Sequence, residues 1–129
     1  MLDHIGFGVT DFERAKQFYR TALAPLGIDI QFEVTAEQSG GSAHIGFGSE
    51  GRPYFWIGNG AALAPALHVC FTAPDRKAVD AFYHAALSAG GRDNGGPGIR
   101  AHYHPNYYGA FVLDPDGHNI EAVCHRPEA

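Results

Sequence analysis

Ile5, Phe7 and Val9 alternate with Gly6 and Gly8, the period of two that marks a half-buried strand. The period then changes. Phe12, Ala15, Phe18, Tyr19, Ala22 and Leu26 recur at three- and four-residue steps, which predicts a helix with one apolar stripe. The run TDFE, Thr10 to Glu13, supplies a capping box in front of that helix, and Gly27 closes it. Leu67, Val69 and Phe71 repeat the strand pattern. Pro74 and Asp75 start a second helix, which Val79, Phe82, Tyr83 and Ala86 line and Gly90-Gly91 ends.

These two stretches are copies. Displaced by 64 residues, His4 falls on His68, Phe7 on Phe71, Asp11 on Asp75, Phe18 on Phe82 and Tyr19 on Tyr83. Ala22, Leu23 and Gly27 fall on Ala86, Leu87 and Gly91, all without a gap. Three shorter strands are expected after each helix: Ile30 to Thr35, Ser42 to Gly48 and Tyr54 to Gly58, then Ile99 to His104, Tyr108 to Leu113 and Asn119 to His125. Asp114-Pro-Asp-Gly117 is a strong turn signal before the last of them. The fold expected is therefore α+β, two tandem βαβββ modules of about residues 1–60 and 65–126, joined near Asn59 to Pro65. Each module is too small to be an ordinary domain, so the two are expected to share one core across residues 1–129.

Composition narrows the function classes. The chain has 129 residues, is 45% hydrophobic and carries a formal charge of −5, with nine scattered basic residues. A nucleic-acid or anionic-membrane partner has no electrostatic support in that pattern. No long apolar run or charged-then-apolar leader is present, so membrane insertion and secretion are not expected. Cys70 and Cys124 lie in apolar strand-like runs and form no C-x-x-C pair, which reads as reduced, buried thiols in a cytoplasmic protein.

The candidate chemistry follows from strand parity. If Ile5, Phe7 and Val9 face the helix, His4 faces the other way, and by the same rule His68 turns away from Leu67, Val69 and Phe71. A pseudo-twofold axis relating the modules would allow the two imidazoles to meet. In the last strand Ile120, Ala122 and Cys124 form an apolar face, so Glu121 projects onto the opposite one. A carboxylate in so apolar a strand is costly unless a cation pairs with it. His4, His68 and Glu121 together have the donor types of a facial triad for Fe, Mn, Ni or Zn.

Two other groups bear on a pocket. The stretch Ile99 to Tyr108, IRAHYHPNYY, is rich in groups that bind or move protons. Parity puts Arg100, His102 and His104 on one face and Tyr103 on the other, unless Pro105 breaks the strand. Histidine and tyrosine can act as acid, base or oxyanion donor, and arginine can hold a carboxylate or phosphate. Tyr54 and Trp56 share the side expected to carry the metal and could form an aromatic wall with Tyr107 and Tyr108; plain core packing explains the first two equally well. His118 belongs to the turn, and His84 is a surface residue.

The segments LDHIGFGVTDFERAKQFYRTALAPLG, ALHVCFTAPDRKAVDAFYHAALSAGG and AFVLDPDGHNIEAV resemble the vicinal oxygen chelate superfamily, that of glyoxalases, bleomycin-resistance proteins and extradiol dioxygenases. The resemblance covers nearly the whole chain. It implies a cup-shaped, half-open mixed sheet with helices outside, and a metal held at His4, His68 and Glu121. It places Trp56 where lactoylglutathione lyases carry a second glutamate, a departure that counts against their proton-transfer chemistry. The function implied is a metal-dependent enzyme acting on a small substrate with vicinal oxygens, of isomerase, lyase or dioxygenase type. The alternative is a metal-free, ligand-sequestering protein of the bleomycin-resistance kind. The resemblance also implies a homodimer, in some members with modules exchanged so that each site draws on two chains.

Overall fold

The computed structural model describes residues 2–60 and 66–128. Its first half runs β1 (Ile5–Val9), α1 (Phe12–Leu23), a 3-10 turn (Ala24–Leu26), β2 (Asp29–Val34), α2 (Ala36–Ser39), β3 (His44–Ser49) and β4 (Arg52–Asn59). The second half runs β5 (His68–Thr72), α3 (Arg76–Ser88), β6 (Arg92–Asp93), β7 (Gly98–Ile99), β8 (Tyr108–Leu113) and β9 (Asn119–Cys124). This is the expected α+β architecture, with two mixed sheets and no closed barrel. The strand order is β1-β4-β3-β2 in one sheet and β5-β9-β8-β6 in the other, where β7 also pairs with β8. The connection expected near Asn59 to Pro65 falls mostly on 61–65, outside the described residues.

The repeat extends to the register of the sheets. β1 runs parallel to β4 with Gly6 opposite Trp56. β5 runs parallel to β9 with Cys70 opposite Glu121. Trp56 thus stands in the first sheet where Glu121 stands in the second.

The helices bury most of the stripes their spacing predicts, with Phe12 and Tyr83 only partly covered; α1 ends at Leu23, so Leu26 falls in the 3-10 turn. Ala15, Phe18, Tyr19, Ala22 and Leu23 of α1 are buried, as are Ala78, Val79, Phe82 and Ala86 of α3. The helices pack on one another and on the sheets, and the helix-side residues form a single core across both halves. Phe55 meets Phe71 edge-on with ring centroids 5.1 Å apart, and Phe7 meets His118 at 5.0 Å. The sheets therefore share their helix-facing sides, and their opposite sides stay open.

Several local expectations are corrected. His4 lies one residue before β1 rather than inside a strand. The helix cap is Asp11, whose carboxylate accepts from Arg14 N–H, and not Thr10. An aspartate adds charge at the positive end of the helix, which a threonine does not. Thr10 instead donates its hydroxyl to Asp116 in the other half. The strand expected over Ile99 to His104 ends at Ile99, because residues 101–103 turn; Tyr103 and His104 N–H both reach back to Arg100 C=O. Pro105 has no N–H to extend a ladder. The parity assigned to Arg100, His102, Tyr103 and His104 lapses with that strand. His118, expected in a turn, is buried, and its Nδ1 accepts from Leu67 N–H at 2.9 Å.

Asp114 is also buried. Its Oδ2 accepts from Tyr19 Oη at 2.5 Å, and its Oδ1 takes the N–H groups of Asp116 and His118. This joins α1 of the first half to the turn before β9 of the second. Burial, and then the Asp114 charge, push the Tyr19 phenol well above its ordinary value.

Candidate functional site

The open side of the second sheet collects most of the chemistry. β9 is a central strand, and Glu121 is 1% exposed within it. A buried carboxylate needs partners for both oxygens. Oε1 meets His68 Nε2 at 2.9 Å, and Oε2 accepts from Tyr107 Oη. Register explains how His68 gets there: the β5–β9 pairing puts it one step along the open face from the Cys70–Glu121 pair. Tyr107 sits just before β8, beside Gly109. A Cβ at Gly109 would lie 3.2 Å from Tyr107 Cε1 and 3.3 Å from Glu121 Oε2.

The apolar run around Cys70 predicts a buried thiol, but the residue is exposed. It lies on this open side instead, because the parity that turns His68 outward turns residue 70 outward as well. Burial of its sulfur, and then the Glu121 charge, push the thiol up to about 12. Both cysteines are free thiols. Burial, and then the hydrogen bond to Glu121, likewise raise the Tyr107 phenol.

Arg100 is held over the Phe111 ring, 5.2 Å from its centroid, by Nη1 bonds to Gly98 and Gly109 C=O at 2.9 and 2.8 Å. Phe111 is the cross-strand partner of Glu121, so Arg100 belongs to the same side. His102, Tyr103 and His104 are exposed on the turn above it, which Arg100 N–H closes onto Tyr107 C=O at 2.8 Å. Tyr103 packs edge-on against Tyr107 at 5.0 Å. Tyr108 points elsewhere, donating to Asp80 on α3 at 2.6 Å beneath Arg76.

The first sheet's open side differs. His4 is 61% exposed, and its Nδ1 meets Asp3 Oδ1 at 2.6 Å. It opens onto a crevice of about 580 Å³ lined from both sheets, by Arg52 and Tyr54 of β4 and by Cys70 and Thr72 of β5. Trp56 lies over Gly46, where a Cβ would come within 2.9 Å of the indole, and it meets the exposed Phe32 at 6.1 Å.

Of the residues singled out from sequence, the structure therefore brings together His68, Glu121 and Tyr107, with Arg100 nearby. Among the described residues, no group of three His, Cys, Asp or Glu side chains gathers closely enough within one chain to hold a metal ion. The His68–Glu121 pair nevertheless suits two ligands of one cation. Bonds of about 2.0–2.2 Å at right angles would put the two donor atoms about 3 Å apart.

Two βαβββ modules that share a core and leave one side of each sheet open define a glyoxalase-fold protein. The chain belongs to the Glyoxalase/Bleomycin resistance protein/Dioxygenase superfamily, whose model matches residues 1–122. It is similar to a glyoxalase/bleomycin resistance protein from Albidiferax ferrireducens, with 29% identity, 96% of this chain and 97% of that one covered, and a TM-score of 0.75. A mutant glyoxalase I from Zea mays is 20% identical with a TM-score of 0.70, over 95% of this chain and 46% of that one. A mutant of the fosfomycin resistance protein FosX from Listeria monocytogenes, complexed with Mn(II) and 1S,2S-dihydroxypropylphosphonic acid, is 18% identical with a TM-score of 0.68, over 96% and 91% of the two chains. No curated protein matches. Among the described residues, no helix is long and apolar enough to cross a membrane.

Proposed function

We propose that this chain is a metal-dependent enzyme acting on a small substrate with vicinal oxygens, its two modules working as one glyoxalase-like domain. The observation that carries the reading is the His68–Glu121 pair, a nitrogen and an oxygen donor 2.9 Å apart with the carboxylate buried. The nitrogen and oxygen donors suit Fe, Mn, Ni or Zn. Such an ion would act as a Lewis acid toward adjacent substrate oxygens, the requirement shared by isomerase, lyase and dioxygenase outcomes. His4 is the third ligand in this reading. It does not gather with His68 and Glu121 within one chain, so a second copy of the chain would supply it, and the active form is a homodimer with each site made from both chains. Arg100 would bind an anionic substrate group. His102, Tyr103 and His104 would carry protons at the rim. Tyr54 and Trp56 would wall the substrate from the partner's sheet.

Glu121→Ala and His68→Ala, assayed for bound metal by elemental analysis beside the wild type, test the reading. The expected result is a stoichiometric transition metal in the wild type and none in either variant. A wild type that takes up no Fe(II), Mn(II), Ni(II) or Zn(II) on reconstitution would contradict it.

Trp56 favours a second reading, a metal-free sequestering protein of the bleomycin-resistance kind. With Phe32 it presents an aromatic surface at the position where a second carboxylate would have joined the site. Quenching of Trp56 fluorescence by planar ligands in the metal-free protein would support it, and unchanged emission would count against it.

A further inference from the structure

Both oxygens of Glu121 are occupied, but by groups of different kinds. His68 meets Oε1 through a nitrogen that can itself ligate a cation, and its side chain is 54% exposed. Tyr107 meets Oε2 through a hydroxyl that acts here as a hydrogen-bond donor. The backbone is shaped for this second contact. Gly109 borders both the Tyr107 ring and the Oε2 atom, and a methyl group there would press on both, at 3.2 and 3.3 Å. Tyr107 is fixed from outside as well: Tyr103 packs on its ring at 5.0 Å, His125 at 5.2 Å, and its backbone C=O accepts from Arg100 N–H. A side chain packed between two rings, on an anchored backbone, and aimed at one carboxylate oxygen constrains how that carboxylate can turn.

We infer that Tyr107 is a positioning residue for Glu121: it holds Oε2 so that Oε1 alone is presented, beside His68, to a cation. The inference rests on the metal-centre reading above and adds a device to it. An unrestrained carboxylate could rotate and offer both oxygens, or swing toward the Cys70 side of the sheet. Outer partners of this type orient a ligand before the ion arrives and typically govern affinity by about 10–100-fold.

The test is Mn(II) titration of the purified full-length protein by calorimetry, with the spectrum of bound Mn(II) recorded by electron paramagnetic resonance. Wild type, Tyr107→Phe and Tyr83→Phe are compared, the last removing a hydroxyl remote from the site. The expected result is a Kd raised about 10-fold or more, with an altered spectrum, in Tyr107→Phe alone. A residue that merely supports the fold would shift the melting temperature of the metal-free protein and leave both readouts unchanged. Wild-type binding with an unchanged Kd and spectrum in Tyr107→Phe overturns this inference and spares the metal centre. A wild type that binds no Mn(II), Fe(II), Ni(II) or Zn(II) overturns both. If Tyr107→Phe does not fold, Gly109→Ala keeps the hydroxyl but crowds its approach to Oε2, and the same weakening is expected of it.

Discussion

The open sides of the two sheets sit on nearly the same scaffold and carry opposite chemistry. Opposite Gly6, the first sheet has Trp56 lying over Gly46 against Phe32. Opposite Cys70, the second has Glu121, buried and bonded to His68 and Tyr107. On the core side the halves agree more closely: Phe7 and Phe71, Phe18 and Phe82, and Ala22 and Ala86 are buried in both. Packing accepts few residues on the core side, because interiors are dense and voids are costly. The open side is free of that restriction, so one half can present an aromatic surface and the other a polar donor set.

The sharpest way to break the comparison is to change the two register-matched positions. Glu121→Gln is expected to abolish metal uptake, whereas Trp56→Leu is expected to leave it intact; elemental analysis of both reads the contrast. Equal losses would mean that the halves do not divide the work as described.

Tyr19 and Tyr83 offer a second contrast of smaller size. They are repeat mates, yet Tyr19 is fully buried with its hydroxyl on Asp114 across the module boundary, while Tyr83 bonds Asp93 at the surface. Tyr19→Phe should cost about 1–3 kcal/mol in urea unfolding, since it strips a donor from a buried carboxylate. Tyr83→Phe should leave the midpoint nearly unchanged.

The same tyrosine gives the smallest effect, a pH dependence. Its folded value lies well above 10, so as pH rises past about 10 the unfolded chain loses this proton while the folded chain keeps it. The folded state then binds more protons than the unfolded one, and stability falls with rising pH. Stability measured between neutral pH and pH 11 should fall less steeply in Tyr19→Phe than in the wild type.

Much of this architecture was legible because periodicity is a local property. The strand Tyr108–Leu113 has the predicted bounds, and both helices bury most of the predicted stripe, Phe12 and Tyr83 apart. The matching of Trp56 with Glu121 follows from the family resemblance, because the 64-residue repeat by itself sets Trp56 on Ile120. What escaped depends on contacts between residues far apart in the chain. Thr10 could have capped α1, but Asp116, 106 residues away, took its hydroxyl. Asp114 and His118 look like turn residues in isolation; Tyr19 and Leu67 bury them. The alternation that predicts a strand beyond Ile99 runs into a segment that turns, which hides the contact of Tyr107 with Glu121. Parity already turned Cys70 toward the site, but its apolar neighbours suggested a buried thiol. The place of His4 on the opposite sheet could not be read from spacing, because it depends on which sides of the two sheets share the core.

That placement makes one measurement decisive. His4→Ala and Glu121→Ala chains, carrying different affinity tags, would be refolded together, the mixed species purified and its metal content determined beside each variant alone. A site shared between two chains leaves the mixed dimer with one complete ligand set, His4 from one chain with His68 and Glu121 from the other. The account predicts about one metal ion per two chains in the mixed dimer and none in either parent, following the symmetry of a two-chain site. A mixed dimer as empty as its parents would contradict it.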